Sequence, residues 1–197
     1  MRIEELASVR TGLVTSRKKP KENQQTIRTY TLLNLKCINS AGYLDTKYAE
    51  DYDSAQLIKE EMFTQKDDIL VRLSAPYTAV MIKESECGYL VPSHFAIIRT
   101  DSKKAVPEYI LWFLKKEETR QKILQNSSGQ TAFGTISSGF LASLNIRQLP
   151  IEKQKIIGEL QVLSEKEQSL LRNLATQKEI YNREFTNKIY ESFKRGK

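Results

Sequence analysis

"LNIRQLPIEKQKIIGEL", residues 144–160, changes character at Pro150. Leu144, Ile146 and Leu149 belong to a short apolar stretch that the proline closes, and the spacing predicts a strand. Immediately after it, Glu152, Lys153, Gln154 and Lys155 open a charged run almost free of helix breakers. That run predicts a single helix from Ile151 to about Arg195, roughly 65 Å long at the α-helical rise. Its seam is nearly heptad: Ile156, Leu160, Leu163, Glu167, Leu170, Leu174, Gln177 and Tyr181. Ile157, Leu171 and Ile180 widen the seam, and Phe185, Ile189 and Phe193 carry it on at i+4 spacing. Glu179/Arg183, Glu184/Lys188 and Glu191/Arg195 place the acid four residues ahead of the base, the favourable order on an exposed face. Gly158 is a weak point for a helix, costing about 1 kcal/mol against alanine, and marks a place for close backbone packing. A helix this long with an apolar stripe calls for a partner helix, and the polar Glu167 and Gln177 on the seam suit a register-fixing role.

Working outward, residues 1–150 read as a mixed α and β domain, so the fold class is α+β with one long C-terminal helix. "RIEELA" predicts a short opening helix and "TSRKKPKENQQ" a polar loop. "IRTYTLLNLKCI", "DDILVRL", "TAVMIK" and "HFAIIRT" predict strands, with a turn at "NSAGY". Pro107 starts a helix through "PEYILWFLKKEE" that offers Tyr109, Ile110, Trp112, Phe113 and Leu114 for burial. A second helical piece runs to about Gln125. The Gly/Ser/Thr-rich "NSSGQTAFGTISSGF" (126–140) reads as a loop, after which Ser137 or Ser138 caps a short helix through "FLASL". The expected division is a domain over residues 1–150 and a helix over 151–197.

The 197 residues carry a net charge of +7, which favours a polyanionic partner. The charge is concentrated: Arg10, Arg17, Lys18, Lys19, Lys21, Arg28 and Lys36 face the single acid Glu22. This segment reads equally as a solvated loop or as a phosphate-facing one. No apolar run is long enough to cross a bilayer and no signal peptide is visible, so a cytoplasmic protein is expected. Cys37 and Cys87 are isolated and His94 is the single histidine, which argues against a structural zinc site. His94 precedes an apolar strand and reads as structural. Asp67 and Asp68 read as a turn before a strand, with no facing carboxylate for acid–base work. No phosphate-binding glycine loop, dinucleotide fingerprint or Glu-x-Lys triplet is present. The chain reads as non-catalytic, with no cofactor and no metal.

Several segments, in order, resemble the specificity subunit of type I restriction–modification enzymes. "IEELASVRTGL" resembles the family's opening segment, a short helix leading to a strand and glycine. "YTLLNLKCINSAGYLD" resembles its read-out strand and Asn/Gly turn. "FTQKDDILVRLSAP" resembles its Lys/Gly–Asp–Ile–Leu strand, with Asp67 standing where glycine is usual. "VPEYILWFLKKEETRQKILQNSSGQTAFGTIS" resembles its Tyr-Leu helix and Gly-rich loop. The opening stretch resembles its Leu-Pro-x-x-x-Gln-x-x-Ile entry to a central helix. In that family a subunit usually carries two target-recognition domains held apart by antiparallel helices, and other subunits supply methylation and cleavage. The resemblance implies a half-length form: one DNA-reading domain (1–150) and one spacer helix (151–197). Two copies would pair antiparallel, through Ile156, Leu160, Leu163, Leu170, Leu174, Tyr181 and Phe185, and read a split palindrome. The implied partners are double-stranded DNA, a methyltransferase subunit and a restriction subunit.

Phosphate candidates are Arg17, Lys18, Lys19, Lys21 and Lys36. Base-edge candidates are Arg10, Thr15, Ser16, Arg28, Tyr30, Arg72, Tyr77, Gln130 and Thr131, chosen for directed bonding near loop backbone. Two other classes remain open from the residues alone. One is a protein-interaction or RNA-binding scaffold assembled through the helix; the other is a stand-alone metal-dependent nuclease.

Overall fold

The strands "DDILVRL" and "HFAIIRT" have almost no polar residue in their middles because both of their faces are covered. A computed structural model describes residues 1–39, 42–127 and 134–195 of the chain. In it the first run forms β4 (Ile69–Arg72) and the second β6 (Phe95–Thr100). They pair with β1 (Ala7–Thr11) and β5 (Ala79–Met81) in an antiparallel sheet of order β1-β6-β4-β5. Successive side chains point to opposite faces of a strand. Ile69, Val71, Ala96 and Ile98 therefore enter one core with Ile3, Leu6, Tyr109, Ile110 and Leu141. Leu70, Phe95 and Ile97 enter a second core with Leu33, Cys37, Ile38 and Val91.

A separate two-stranded sheet joins β2 (Arg28–Leu32) to β3 (Glu50–Ser54). Leu33 N–H donates to Leu90 O (2.9 Å) and Leu90 N–H to Thr31 O (2.9 Å), tying this ladder to the main body. The predicted strand "IRTYTLLNLKCI" is thus shorter than expected. It stops at Leu32, and Leu35–Cys37 form a 3-10 turn capped by the Asn34 side chain. The opening "RIEELA" forms the expected short helix, of the 3-10 type, over Ile3–Glu5.

Helix α1 (Pro107–Lys115) starts with its proline in the first turn, and α2 (Glu117–Ser127) follows after Lys116. Ser137 caps α3 (Ser138–Ser143), its hydroxyl accepting from Phe140 N–H at 3.0 Å. "LNIRQL" is not a strand. It makes one bridge, Arg2 to Asn145, while Leu144 and Ile146 are buried against the first core. Its alternation is real, but the segment it pairs with, Met1–Ile3, turns into the 3-10 helix at once and the pairing goes no further (Ile3 N–H to Leu144 O, 3.1 Å; Ile146 N–H to Met1 O, 2.9 Å).

Helix α4 runs without interruption over Ile151–Arg195. The chain divides into compact units at Gly158/Glu159, so the first two turns of α4 belong to the head rather than to the arm. Gln154, 1 % exposed, explains why. Its Oε1 accepts from the N–H of Val106 (3.0 Å), the N-cap of α1, and its Nε2 donates to Leu149 O (2.8 Å). Gly158 lies against α1 as well. A Cβ there would lie 2.5 Å from Glu108 Cβ, so only glycine allows the two helices to come this close.

In the second unit, Leu160, Leu163, Leu170, Leu174 and Tyr181 are each about three-fifths exposed. Tyr181 and Phe185 stack with ring centroids 6.0 Å apart. Glu191 pairs with Lys194 (3.0 Å). Among the described residues no helix is long and apolar enough to cross a membrane.

Candidate nucleic-acid interface

The basic segment is pinned by its backbone, which leaves its cations outward. Thr15–Arg17 make one 3-10 turn, closed by Lys18 N–H on Thr15 O at 3.0 Å. Tyr52 of β3 donates its hydroxyl to Thr15 O (2.7 Å), and burial pushes its phenol up. Ala55 N–H donates to Lys18 O (2.9 Å), and Lys18 Nζ reaches Gln56 Oε1 at 2.6 Å. With carbonyls held inward, Ser16, Arg17, Lys19 and Lys21 remain exposed, while Thr15 and Lys18 are half-buried. The charge cluster is therefore a shaped ridge on the β2–β3 sheet.

Other candidates are engaged within the protein. The Arg28 guanidinium lies over the Tyr30 ring at 5.3 Å. Tyr30 packs on Phe63 (5.3 Å between centroids), and its oxygen accepts from Ile58 N–H at 3.2 Å. Arg10 forms an ion pair with Glu61 at 2.6 Å. Lys36 is exposed on the 3-10 turn after β2. Three acids, Glu50, Asp51 and Asp53, lie on β3, exposed, and Asp53 accepts from Thr29 at 2.6 Å. These β3 carboxylates make that part of the sheet unfavourable for an anion, whereas the Lys18–Lys21 side carries the positive charge.

Arg72 and Tyr77 lie elsewhere, at the β4–β5 hairpin. Arg72 Nε donates to Ser74 Oγ (3.3 Å). Tyr77 has φ +56° and donates its hydroxyl to Gly134 O at 2.6 Å. Ser74 bridges Thr135, and Ile136 N–H donates to Leu73 O (2.9 Å), so the hairpin seats the chain leading into α3. Gln130 and Thr131 fall outside the described residues.

Asp67 and Asp68 do form the turn expected before β4. Asp67 sits at φ +65°, in the left-handed region that favours glycine, which accounts for the usual glycine at this place. Asp68 is fully buried and receives both Nε and Nη2 of Arg99 at 2.7 Å, a bidentate pair that holds Arg99's pKa up. It is a structural carboxylate. Among the described residues no cluster of His, Cys, Asp and Glu could hold a metal ion.

A family model described as the type I restriction modification DNA specificity domain matches residues 1–183. The chain belongs to that family. Three solved structures share its fold. One is a chain from a structural study of complex assembly and conformational transition of the type I R-M system, at TM-score 0.63 and 13 % identity, covering 87 % of this chain and 43 % of that one. Another is the HsdS subunit from Thermoanaerobacter tengcongensis, at TM-score 0.62 and 14 % identity over 87 % and 43 %. The third is the S subunit of a type I restriction–modification system from M. genitalium, at 0.52 and 15 % over 87 % and 40 %. The chain spans about two-fifths of the length of these structures. No curated protein matches it in sequence.

In this specificity domain the structure brings Thr15, Ser16, Arg17, Lys18, Lys19, Lys21, Arg28 and Tyr30 together on the loop and sheet of residues 15–56. Arg72 and Tyr77 form a second group at the β4–β5 hairpin. Sequence reasoning passed over Tyr52 and Gln56, which position the loop. Tyr52 alone could have been noticed, as the one large apolar side chain in "EDYDS".

Proposed function

We propose that the chain is the sequence-reading part of a type I restriction–modification enzyme and performs no catalysis itself. Family membership supports this, and the observation that carries it is the basic ridge whose backbone is fastened to β3. Lys19, Lys21 and Arg17 would fix the register on phosphates. The half-buried Thr15 and the hydroxyl of Ser16, beside them, would meet base edges, with Arg72 and Tyr77 as a second reading group. One head and one helix read half of a split site. The exposed seam of α4 suits an antiparallel pairing with a second copy, giving a two-fold dimer and a palindromic target. Methyltransferase and restriction subunits would then supply the chemistry.

Methylome mapping of cells that express the chain with a type I methyltransferase subunit tests the reading. The expected result is methylation of one bipartite palindrome. Methylation without sequence preference, or none with a methyltransferase shown to be active, overturns it. Replacing Lys19 and Lys21 by alanine should weaken duplex binding for all sequences alike. The salt slope should fall by about one for each phosphate that is no longer neutralised.

A further inference from the structure

Beside the Pro150 junction lies a cleft of about 390 Å³ that the DNA reading does not use. One wall is the α1 face of Tyr109, Trp112 and Phe113, and the other is formed at Arg147 and Leu149. The wall is rigid. Trp112 stacks on Tyr109, with centroids 5.5 Å apart and planes 17° from parallel. Tyr109 is almost fully buried and donates its hydroxyl to Arg147 O at 2.7 Å. The rim is cationic. Lys116, Lys122 and Arg147 face one carboxylate, Glu118, which Lys116 already holds at 2.7 Å.

A cleft of this size admits one or two side chains, whereas a duplex can touch only its rim. Aromatic walls beneath an excess of positive charge complement a large apolar side chain flanked by carboxylates. Phosphates would use the rim and leave the half-buried rings of Trp112 and Phe113 without a role. We propose that this cleft docks an acidic polypeptide segment of a partner protein, which inserts one aromatic or leucine side chain between Trp112 and Leu149. Flanking carboxylates of that segment meet Lys122 and Arg147. None of these residues is a DNA candidate, so this proposal and the DNA reading stand or fall separately.

Trp112 is the only tryptophan in the sequence, so its emission reports on the cleft directly. The full chain is titrated with a synthetic Asp/Glu-rich peptide that carries one central phenylalanine and no tryptophan. A saturable change in Trp112 emission is expected. Replacing the peptide's phenylalanine by serine should weaken binding, and so should Lys122→Glu with Arg147→Glu, each by at least about tenfold. Both of those side chains are exposed, so the variant should keep its thermal melt; if it does not, Lys122→Gln with Arg147→Gln makes the same test. No saturable change overturns the proposal, as does an equal response to a lysine-rich peptide. A duplex oligonucleotide that gives the same change, and is blocked by the same variants, overturns it in favour of nucleic acid.

Discussion

Ile151–Gly158 and Glu159–Arg195 are parts of one helix and share one apolar periodicity, yet their side chains are satisfied differently. In the first part Gln154 is buried between two backbone partners, Ile157 packs on the first core, and Gly158 lies against Glu108. In the second, Leu160, Leu163, Leu170 and Leu174 are about three-fifths exposed. Periodicity identifies the apolar face in both parts but not what that face meets. The difference is carried by small and polar residues: a glycine where backbones touch, and an amide that closes the end of another helix. Where such residues stop, the seam has no partner in its own unit among the described residues.

The largest expected effect lies on the exposed part. Replacing Leu163, Leu170 and Leu174 together by lysine should convert a dimer to a monomer by light scattering, with the melting of the head unchanged. A dimer that survives would move the interface away from this seam. On the docked part, Gly158→Val forces a branched side chain against Glu108 and should cost about 3 kcal/mol in chemical denaturation. If the cost were near zero, the two parts of the helix would be alike. Gln154→Ala leaves Val106 N–H and Leu149 C=O without their partner and should cost about 2 kcal/mol. Smallest is a pH effect confined to the head. Burial pushes the Cys37 thiol up, whereas an unfolded thiol ionises near pH 8.5. The native state therefore keeps its proton where the unfolded chain has shed it. The contribution is complete below that pH and is lost as pH rises through the native value. Stability should decline above about pH 8.5, and less steeply in Cys37→Ala, by denaturation at stepped pH.

Much of this was legible in the sequence. β4 and β6 announce themselves because burial on two faces removes polar residues from their centres. Pro107, Ser137 and the breaker-free run after Pro150 place α1, α3 and α4. Two stretches were harder. β3, "EDYDS", buries only Tyr52 and Ser54, so its three acids hide it. "LNIRQL" alternates like a strand, but alternation shows only that one side is buried. At the interface the positive residues could be counted but not sorted. Whether an arginine faces solvent, an acid or a ring depends on Glu61 and Tyr30, and for Glu61, far from Arg10 in sequence, no local pattern reveals the pairing. The pinned loop depends in the same way on Tyr52, Ala55 and Gln56, which come from beyond an intervening strand.

The unequal strand pairing of the two sheets has a consequence in time. β6 is hydrogen-bonded on both edges, to β1 and β4, and β4 on both, to β5 and β6. Their amides should exchange with deuterium only when the whole head opens. The β2–β3 ladder shares one full edge and is tied to the main body at the end of β2, through Leu90, and two-stranded pieces hold little stability of their own. Its amides should exchange earlier, through openings that leave the central strands closed. The basic ridge rides on that ladder, so it would come and go on a faster clock than the body that carries it.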